Sequence, residues 1–468
     1  MQNLGSSDIK AGPTDKKVVL FVASMAVFLT PFMATSINIA LPSIGREFST
    51  DAVTLSWITT AYLLAAAMFL VPFGRLADIR GRRKVFLSGI AGYTVVSLLC
   101  GVAPSEHALI ALRALQGFTD AMMFGTSLAI VTSVYPPQER GRALGITVAS
   151  VYAGGALGPF IGGFLTQALG WRSIFYLTAV LGLLAVTMTL WKMRGEWAEA
   201  RGQRFDIIGS LLYGLALLGI MYGFRLLPAF IGIWVIVGGA LFLAAFVLRE
   251  RRIDYPVLDV SLFSSNIVFA LSNLSALINY AATYAVSFLL SLFLQYVKGM
   301  DPRTAGLIML SQPVIMAIFS PLAGRLSDRV EPRIVASAGM AMSTAGLLLT
   351  AFLGPSSPVG YIVAILMLCG LGFALFSSPN TSAIMGSVER RHYAVASATT
   401  GVMRLIGQML SMGIAALIIA LFVGQVAITP EYYPAFLKAF RVGFLVFGGL
   451  CAAGILASLA RGNVHRAA

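Results

Sequence analysis

The sequence predicts an all-α integral membrane protein of about fourteen spanning helices, arranged as two six-helix bundles with an inserted two-helix hairpin. Three observations support this prediction: an apolar composition, apolar runs of spanning length, and a charged loop that recurs in both halves of the chain. Of the 468 residues, 58% are hydrophobic and 11% are charged, and the mean hydropathy is +0.86. Soluble proteins carry about 25% charged residues, so a soluble fold is excluded.

The apolar runs have the length of membrane-spanning helices. About 20 residues are needed to cross the hydrocarbon core of a bilayer. A first set of six runs is followed by a pair and by a second set of six: 18–41, 55–73, 85–103, 108–131, 143–165, 173–190; 207–224, 228–248; 266–294, 304–323, 334–353, 359–378, 394–423 and 436–460.

Polar segments divide the chain between these sets of runs. The linker is long enough to cross the face of a bundle, and the very short turn within the central pair indicates an inserted hairpin. A single undivided bundle is the alternative, which the repeated loop disfavours. The predicted order is a tail at 1–17, a bundle at 18–190, a linker at 191–206, the hairpin at 207–248, a loop at 249–265, a bundle at 266–460 and a tail at 461–468.

The net charge of +14 is explained by topology and does not indicate nucleic-acid binding. With a cytoplasmic N-terminus, 24 Lys and Arg residues fall in inside segments and 7 in outside segments. Positive residues favour the cytoplasmic side, so both termini are expected there, in the inner (plasma) membrane. The polar first residues are expected to be a plain tail without a cleavable signal peptide. The three cysteines lie in apolar runs with no paired spacing, so neither a disulfide framework nor a metal site is expected.

A short basic loop, Gly74–Lys84, lies between the second and third runs and returns in shorter form as Gly324–Arg329. A duplicated loop in corresponding halves of an apolar chain is typical of membrane transporters. The predicted gate at the cytoplasmic ends of the bundles comprises Gly74, Asp78, Gly81, Arg82, Arg83, Gly324, Arg325 and Asp328.

Each residue type in the loop has a physical use. Gly74 would permit close helix contact and Gly81 a tight turn, while the basic residues would hold the loop at the anionic membrane surface. Asp78 could accept hydrogen bonds from a helix N-terminus or pair with an arginine, in a contact that breaks as the bundles rock. A plain stop-transfer anchor is the alternative, although an anchor needs neither the acid nor the glycines.

Asp120 is the one acid predicted in the middle of a spanning run. An Asp there costs about 2.5–3.5 kcal/mol on insertion scales, so it should face the bundle interior or water. Desolvation favours the neutral form of a carboxyl group, which suits proton exchange near physiological pH. A carboxylate that takes either a proton or a cationic substrate would couple their movements in opposite directions. A hydrogen-bonded Asp that only fixes the helix is the alternative.

Arg113 precedes Asp120 by seven residues, two turns away on the same helix face. The separation is about 10.5 Å, so we expect no direct bond, although water or Gln116 could bridge the two. Arg113 could act on Asp120 through its field or take part in proton handling. A structural Arg bound to backbone carbonyls is the alternative.

Other polar residues at membrane depth are candidates for the lining of a cavity. Arg404 and Gln408 lie one turn apart in the thirteenth run, where a cross-helix hydrogen bond explains them as well as a place in the pathway does. Asn279 and Tyr284 give the ninth run a partly polar face, and Asn38 lies in the first run.

Small residues and one proline dominate part of the fifth run. Such a face lets helix backbones approach closely, and Gly158-Pro159 weakens the helix so that it can bend. Ordinary small-residue packing is the alternative to a specific role in conformational change. The residues are Gly154, Gly155, Gly158, Pro159, Gly162 and Gly163.

These motifs resemble the major facilitator superfamily. Its loop signature G-x-L-a-D-x-x-G-R-[RK] is matched by Gly74, Leu76, Asp78, Gly81, Arg82 and Arg83, and the second copy keeps Gly324, Arg325, Leu326 and Asp328. The segment Arg113–Gly117 resembles the fourth-span signature R-x-x-Q-G, Gly154–Gly163 the antiporter signature of the fifth span, and Thr35–Pro42 the first-span signature of drug:proton antiporters. With about fourteen runs, the chain resembles the fourteen-span drug:proton antiporters of the QacA/EmrB type.

One departure from the family pattern concerns the acids. Many such antiporters carry an acid at the start of the first-span signature, where this chain has Met33. Asp120 occupies a place where the family usually has a small residue. The departure weakens the inference of a cationic substrate and makes Asp120 an unusual solution to coupling.

The resemblance implies a proton-coupled secondary transporter that exports amphipathic, cationic or neutral drugs or toxic compounds by alternating access. Its expected partners are a small-molecule substrate, protons and the lipid bilayer, with no nucleic acid and no cofactor, and the chain is expected to act as a monomer. An exporter of a narrow metabolite or anionic solute is the alternative. A membrane enzyme or sensor is disfavoured because His107, His392 and His465 are scattered and no carboxylate pair is predicted at membrane depth.

Overall fold

The computed structural model describes residues 15–389 and 393–462, without the side chains of Pro137 and Ala394. Most of both predicted tails, together with His392 and His465, therefore lies outside the described residues. Within the described part, fourteen helices are long and apolar enough to cross a membrane, which confirms the predicted all-α membrane fold of about fourteen spans.

The helices follow the predicted order. The first bundle comprises α1 Lys16–Phe48, α2 Ala52–Arg80, α3 Arg82–Gly101, α4 Glu106–Val134, α5 Pro137–Leu169 and α6 Arg172–Lys192, and the hairpin comprises α7 Ile207–Leu226 and α8 Phe230–Glu250. The short helix α9 Ser261–Ser265 precedes the second bundle. The first span of this bundle is formed by α10 Ile267–Thr283 and α11 Ala285–Leu292 and ends in the π-helical turn Phe293–Val297. The remaining spans are α12 Pro302–Ser327, α13 Pro332–Thr350, α14 Val359–Gly386, α15 Tyr393–Phe422 and α16 Tyr433–Ala460.

Several helices extend beyond the apolar runs because polar residues cap them. The run 55–73 predicts only the middle of α2, which begins at Ala52 because Asp51 accepts hydrogen bonds from the Val53 and Thr54 amides at 2.8 and 2.9 Å. Ser105 caps α4 in the same way through the Ala108 amide. Capping satisfies amide groups that have no partner inside the helix, so the helices continue into the charged ends of the spans.

The two bundles meet along two seams. Helix α5 packs against α12 at one seam, and α2 packs against α15 at the other. Helices α7 and α8 pack against each other, and α7 also contacts both α2 and α15, so the hairpin lies over the second seam. We call the end that carries Gly74–Lys84 the loop end and the opposite end of the bundles the far end.

Candidate functional site

Asp120 lies inside the first bundle with 3% of its surface exposed. Its Oδ1 accepts a hydrogen bond of 2.5 Å from Thr30 Oγ1 of α1. Tyr62 of α2 also interacts with it, so α1, α2 and α4 together enclose the carboxyl group. The three helices shield the carboxyl group from bulk solvent on most sides. The group can still take up and release a proton.

Arg113 is fully buried two turns before Asp120. Its Nε donates to the Ile58 carbonyl of α2 at 3.1 Å, and one terminal nitrogen donates to Gln116 Oε1. The guanidinium lies 4.3 Å from the centre of the Tyr62 ring. Tyr62 thus contacts the arginine and interacts with the acid, although Arg113 and Asp120 make no ion pair with each other.

Gln116 extends this cluster toward α3. Its Nε2 donates to Ser97 Oγ at 2.8 Å, while its Oε1 accepts from Arg113. Both amide atoms of Gln116 are therefore used, and the side chain fixes the rotamer of the arginine. The result is a connected polar cluster that runs from α3 to α1 through the interior of the bundle.

Several buried polar atoms near this cluster have no hydrogen-bond partner among the described residues. A buried polar group left unpaired costs about 1–3 kcal/mol, so a core seldom keeps several of them unless the region accepts water, a proton or a ligand. They are Nη2 of Arg113 and the hydroxyls of Tyr93 and Tyr284. Both side-chain amide atoms of Asn279, in the second bundle, also lack a partner.

Arg404 approaches Asp120 from the second bundle. Its guanidinium lies 5.0 Å from the centre of the Phe124 ring, and Phe124 follows Asp120 by one turn of α4. Arg404 acts electrostatically on Asp120 and makes no hydrogen bond or ion pair with any described residue. Gln408, one turn further along α15, is half-buried and likewise shows no polar partner in the described part. The interface between the bundles thus places the Arg404 guanidinium, which has no polar partner among the described residues, close enough to Asp120 to act on its carboxyl group.

Asn38 lies at the far end rather than beside Asp120. It makes one of the hydrogen bonds that join the two bundles. Every such bond between described residues lies at this end. They run from Asn38 Nδ2 to Ser287 Oγ (2.7 Å), from Gln295 Nε2 to the Ile39 carbonyl (2.8 Å) and from Tyr296 Oη to the Pro42 carbonyl (3.3 Å). The far end is therefore the closed end of the interface.

The glycines of α5 face two different neighbours. A Cβ at Gly154, Gly158 or Gly162 would collide with α1, at the Phe28 carbonyl, the Thr35 hydroxyl and Ser36 respectively. At Gly155 the nearest atom would lie at 3.9 Å, so this position has room for a methyl group.

Gly163 and Pro159 mediate contact between the bundles. A Cβ at Gly163 would collide with the Pro302 carbonyl of α12, and one at Gly306 of α12 would collide with the Pro159 carbonyl. Two glycines thus permit α5 and α12 to touch backbone to backbone at the far end. This contact helps to close the far end, whereas Gly154, Gly158 and Gly162 let α5 pack closely against α1 within the first bundle.

The Gly74–Lys84 segment, predicted as a loop, is helical except at Gly81, because α2 continues to Arg80 and α3 begins at Arg82. Arg82, which is 5% exposed, joins this segment to its surroundings. Arg82 pairs with Asp78 at 2.8 Å, donates to Ser133 Oγ of α4 at 2.7 Å and pairs with Glu199 of the linker at 2.6 Å. Gly81 adopts φ +117°, a left-handed value that favours glycine at this tight turn.

The linker folds over the same loop. The Ala200 amide donates to the Asp78 carbonyl at 2.9 Å, and the Arg82 amide donates to the Trp197 carbonyl at 2.8 Å. Glu196 accepts from the Arg83 amide at 2.8 Å, at the N-terminus of α3, where the helix dipole favours an acid. Asp78 is thus engaged with its own bundle and the linker.

Two expectations for the loop differ from the structure. No atom lies within 4 Å of the place where a Gly74 Cβ would stand, so the expected close helix contact is absent there. In the second copy, Gly324 lies close to Ser378, but Arg325 and Asp328 are exposed and make no hydrogen bond or ion pair through their side chains with the described residues. The second loop lacks the returning glycine and a covering linker, so it does not reproduce the first.

Replacing Arg82 by Ala is expected to lower the free energy of unfolding by about 2 kcal/mol, because charge-assisted hydrogen bonds to Asp78 and Ser133 are lost. Lys84→Ala is the matched control, since its exposed side chain should change stability by at most about 0.5 kcal/mol. Denaturant unfolding of the purified proteins measures both. Equal values for the two variants would show that the Arg82 cluster does not stabilise the loop.

Sequence reasoning missed several residues of the site. Thr30 and Tyr62 carry no unusual pattern, and only the packing of α1 and α2 on α4 brings them to Asp120, whereas Phe124 lies one turn after Asp120 on α4 itself. Glu196 and Glu199 offered a weak signal, because two acids in a linker beside a basic loop are complementary in charge.

Comparisons with known proteins agree with this architecture. The model of the Major Facilitator Superfamily matches residues 23–276 and 272–466. The multidrug resistance protein Stp of Mycobacterium tuberculosis is 33% identical over 412 residues, covering 86% of this chain and 76% of Stp. The riboflavin transporter RibZ of Clostridioides difficile is 31% identical over 376 residues, covering 80% of this chain and 81% of RibZ.

A solved structure shows the same fold. The crystal structure of a bacterial homologue of the human lysosomal transporter Spinster, in an inward-facing and unoccupied conformation, superposes with a TM-score of 0.70 at 18% identity, covering 97% of this chain and 98% of the other. Together with the family match and the spanning helices, these similarities show that the chain belongs to the Major Facilitator Superfamily of membrane transporters, in its drug-exporter family.

Proposed function

We propose that this protein is a proton-coupled secondary transporter that exports amphipathic, cationic or neutral compounds by alternating access. The observation that supports it most is the enclosed Asp120, bound by Thr30 and surrounded by buried polar atoms without partners. The similarity to a multidrug resistance protein supports export of drug-like compounds. The basic loop end is the cytoplasmic side in this proposal, because positive residues favour that side. A closed far end then corresponds to an inward-facing state in the plasma membrane.

Competition between the substrate and a proton for Asp120 would couple the export of the substrate to the entry of the proton. In the inward-facing state the ionised carboxylate binds a cationic or polar group of the substrate. After the bundles rock, a proton from outside takes the same carboxylate and the substrate leaves. Arg113, held by Gln116, stabilises the ionised state through its field, and Tyr62 lies between the two. A single carboxylate that accepts one ligand at a time produces exchange.

Export of a narrow metabolite or anionic solute is the second candidate, favoured by the unpaired Arg404. An ionised Asp120 would attract this guanidinium, whereas a protonated Asp120 would leave it free for an anion. Proton and anion would then bind together and leave together, driven by the outward concentration gradient of the anion, so the sign of the proton change on binding separates the candidates. The similarity to a riboflavin transporter is compatible with a narrow substrate.

Proteoliposomes with an acidic interior test the proposal. For one-for-one exchange, a fluorescent lipophilic monovalent cation should accumulate about tenfold per pH unit, because one unit corresponds to about 1.4 kcal/mol. An electroneutral proton–potassium exchanger in symmetric potassium should abolish this accumulation by collapsing the pH gradient without a membrane potential, and Arg404→Gln should preserve it. Proton-driven movement of an aromatic anion instead, lost in Arg404→Gln, would support the second candidate. Transport of either compound at a rate that does not depend on the pH gradient would contradict proton coupling.

A further inference from the structure

The hairpin leaves a narrow cleft against both bundles at the far end. Helix α7 meets α2 of the first bundle and α15 of the second here, and the loop after α15 closes one side. Only one lining residue is charged, and most of the others are apolar or small. The lining comprises Val53, Trp57, Thr60, Met221, Phe224, Arg225, Leu227, Gly413, Ala416, Leu417, Ala420 and Gln425.

The charged lining residue is Arg225. Its guanidinium lies 5.2 Å from the centre of the Trp57 ring and 6.0 Å from that of Tyr222. It makes no hydrogen bond or ion pair with the described residues. Asp51, which caps α2, is not the counter-ion of Arg225. Its carboxylate already accepts hydrogen bonds from the Val53 and Thr54 amides and from the Thr54 hydroxyl. The cleft thus presents a positive charge without a protein counter-charge.

The depth of Arg225 indicates what could supply that counter-charge. Arg225 is the last residue but one of α7, where a spanning helix ends and the polar headgroup region begins. Trp and Tyr beside it are the aromatic residues that sit at the level of lipid headgroups. A phosphate group is therefore available at this depth, and an acyl chain would extend from it toward the apolar lining.

The size of the cleft argues against a drug-sized ligand. Its free space is about 20 Å³, whereas small-molecule sites enclose about 300–1,000 Å³. A space of this size holds about one water molecule, so a larger group can lie only along the open rim of the cleft, where Tyr222 and Arg225 are exposed and Trp57 and Phe224 are half-buried. Gly413, Ala416 and Ala420 on α15 present no long side chains to obstruct it.

We propose that the rim of this cleft binds an anionic phospholipid of the outer leaflet, with its phosphate on Arg225 and its upper acyl chain against Trp57 and Phe224. The lipid would join the hairpin to the seam between α2 and α15, two helices of opposite bundles. The proposal is independent of which substrate or ion the central site takes, and it gives the inserted hairpin a role in holding lipid at a moving seam.

Quenching of Trp57 fluorescence tests the proposal directly. The protein is placed in nanodiscs with phospholipids brominated high on the acyl chain, and the Trp57 signal is the difference between wild type and Trp57→Phe. Phosphatidylglycerol should quench Trp57 with about fivefold higher apparent affinity than phosphatidylcholine, the factor that about 1 kcal/mol per basic residue provides. Arg225→Gln should remove this preference, and Arg225→Lys should retain it.

Arg441→Gln is the matched control, since Arg441 is an exposed arginine early in α16 that does not line the cleft. It should leave the preference unchanged. Equal quenching by both lipids in wild type, a preference that survives Arg225→Gln, or no Trp57 quenching at all would each overturn the proposal. If Trp57→Phe fails to fold, native mass spectrometry of wild type and Arg225→Gln decides, because only the wild type should retain phosphatidylglycerol.

Discussion

Asp120→Asn is expected to reduce proton-driven transport by about 100-fold or more, the usual contribution of a group that exchanges a proton. The amide is nearly the same size as the carboxyl group, and its oxygen can still accept from Thr30, so the fold should persist. It cannot ionise, however, so it cannot release a proton when the substrate binds. Uptake of labelled substrate into proteoliposomes with and without a pH gradient measures the loss.

Thr119→Val is the matched control for this variant. Thr119 neighbours Asp120 on α4, and its hydroxyl bonds only to carbonyls of its own helix, Leu115 at 3.3 Å and Gln116 at 2.9 Å. The transport rate of Thr119→Val should stay within a factor of about two of the wild-type rate, which corresponds to a free-energy change of at most about 0.5 kcal/mol. If Asp120→Asn retains full gradient-driven transport while the control does too, proton coupling lies elsewhere in the chain.

Gly163→Val is expected to hold the far end open. A Cβ at this position would stand 3.3 Å from Arg303 Cα and closer still to the Pro302 carbonyl, and both belong to the opposite bundle. Overpacking of this kind costs typically 1–3 kcal/mol, and 2 kcal/mol changes the ratio of two states about 30-fold. The variant should therefore transport poorly, because one of its two alternating states is disfavoured.

Cysteine accessibility measures this change in state. The three native cysteines are buried, so a Ser287→Cys background reports the far end when treated with a membrane-impermeant maleimide. Labelling should be faster by about tenfold or more in Gly163→Val. Gly155→Ala is the control on the same helix, since its nearest neighbour is at 3.9 Å and neither transport nor labelling should change. Slow labelling in Gly163→Val would show that the α5–α12 contact does not control closure.

Most of the fold could be predicted from the sequence, because the bilayer imposes a length on every apolar run. The run 207–224 predicts α7 closely, since polar residues flank it at both ends. The helix ends at α2 and α4 could not be predicted as well, because caps such as Asp51 extend a helix past its apolar part. The position of the hairpin over the α2–α15 seam depends on contacts between distant segments and left no local pattern.

The candidate site was predictable only in part. Asp120 and Arg113 stand out because charged residues at membrane depth are rare and costly. Their partners do not stand out: Thr30 and Tyr62 are ordinary residues until α1, α2 and α4 pack together. The proximity of Arg404 to Asp120 is a property of the interface between the bundles. Asn38 donates a hydrogen bond to Ser287 between the bundles, on the far-end side of Thr30 along α1, and its place in the cavity stays a prediction.

Proton release on substrate binding tests the central claim, competition at Asp120, most directly. Purified wild type and Asp120→Asn in weakly buffered detergent receive a panel of cationic and anionic compounds while a pH indicator records protons. Addition of cations should release protons from wild type and none from Asp120→Asn. Equal release by both proteins would contradict it and move the coupling group away from Asp120. Proton uptake on addition of anions would instead assign the site to an anionic substrate held by Arg404.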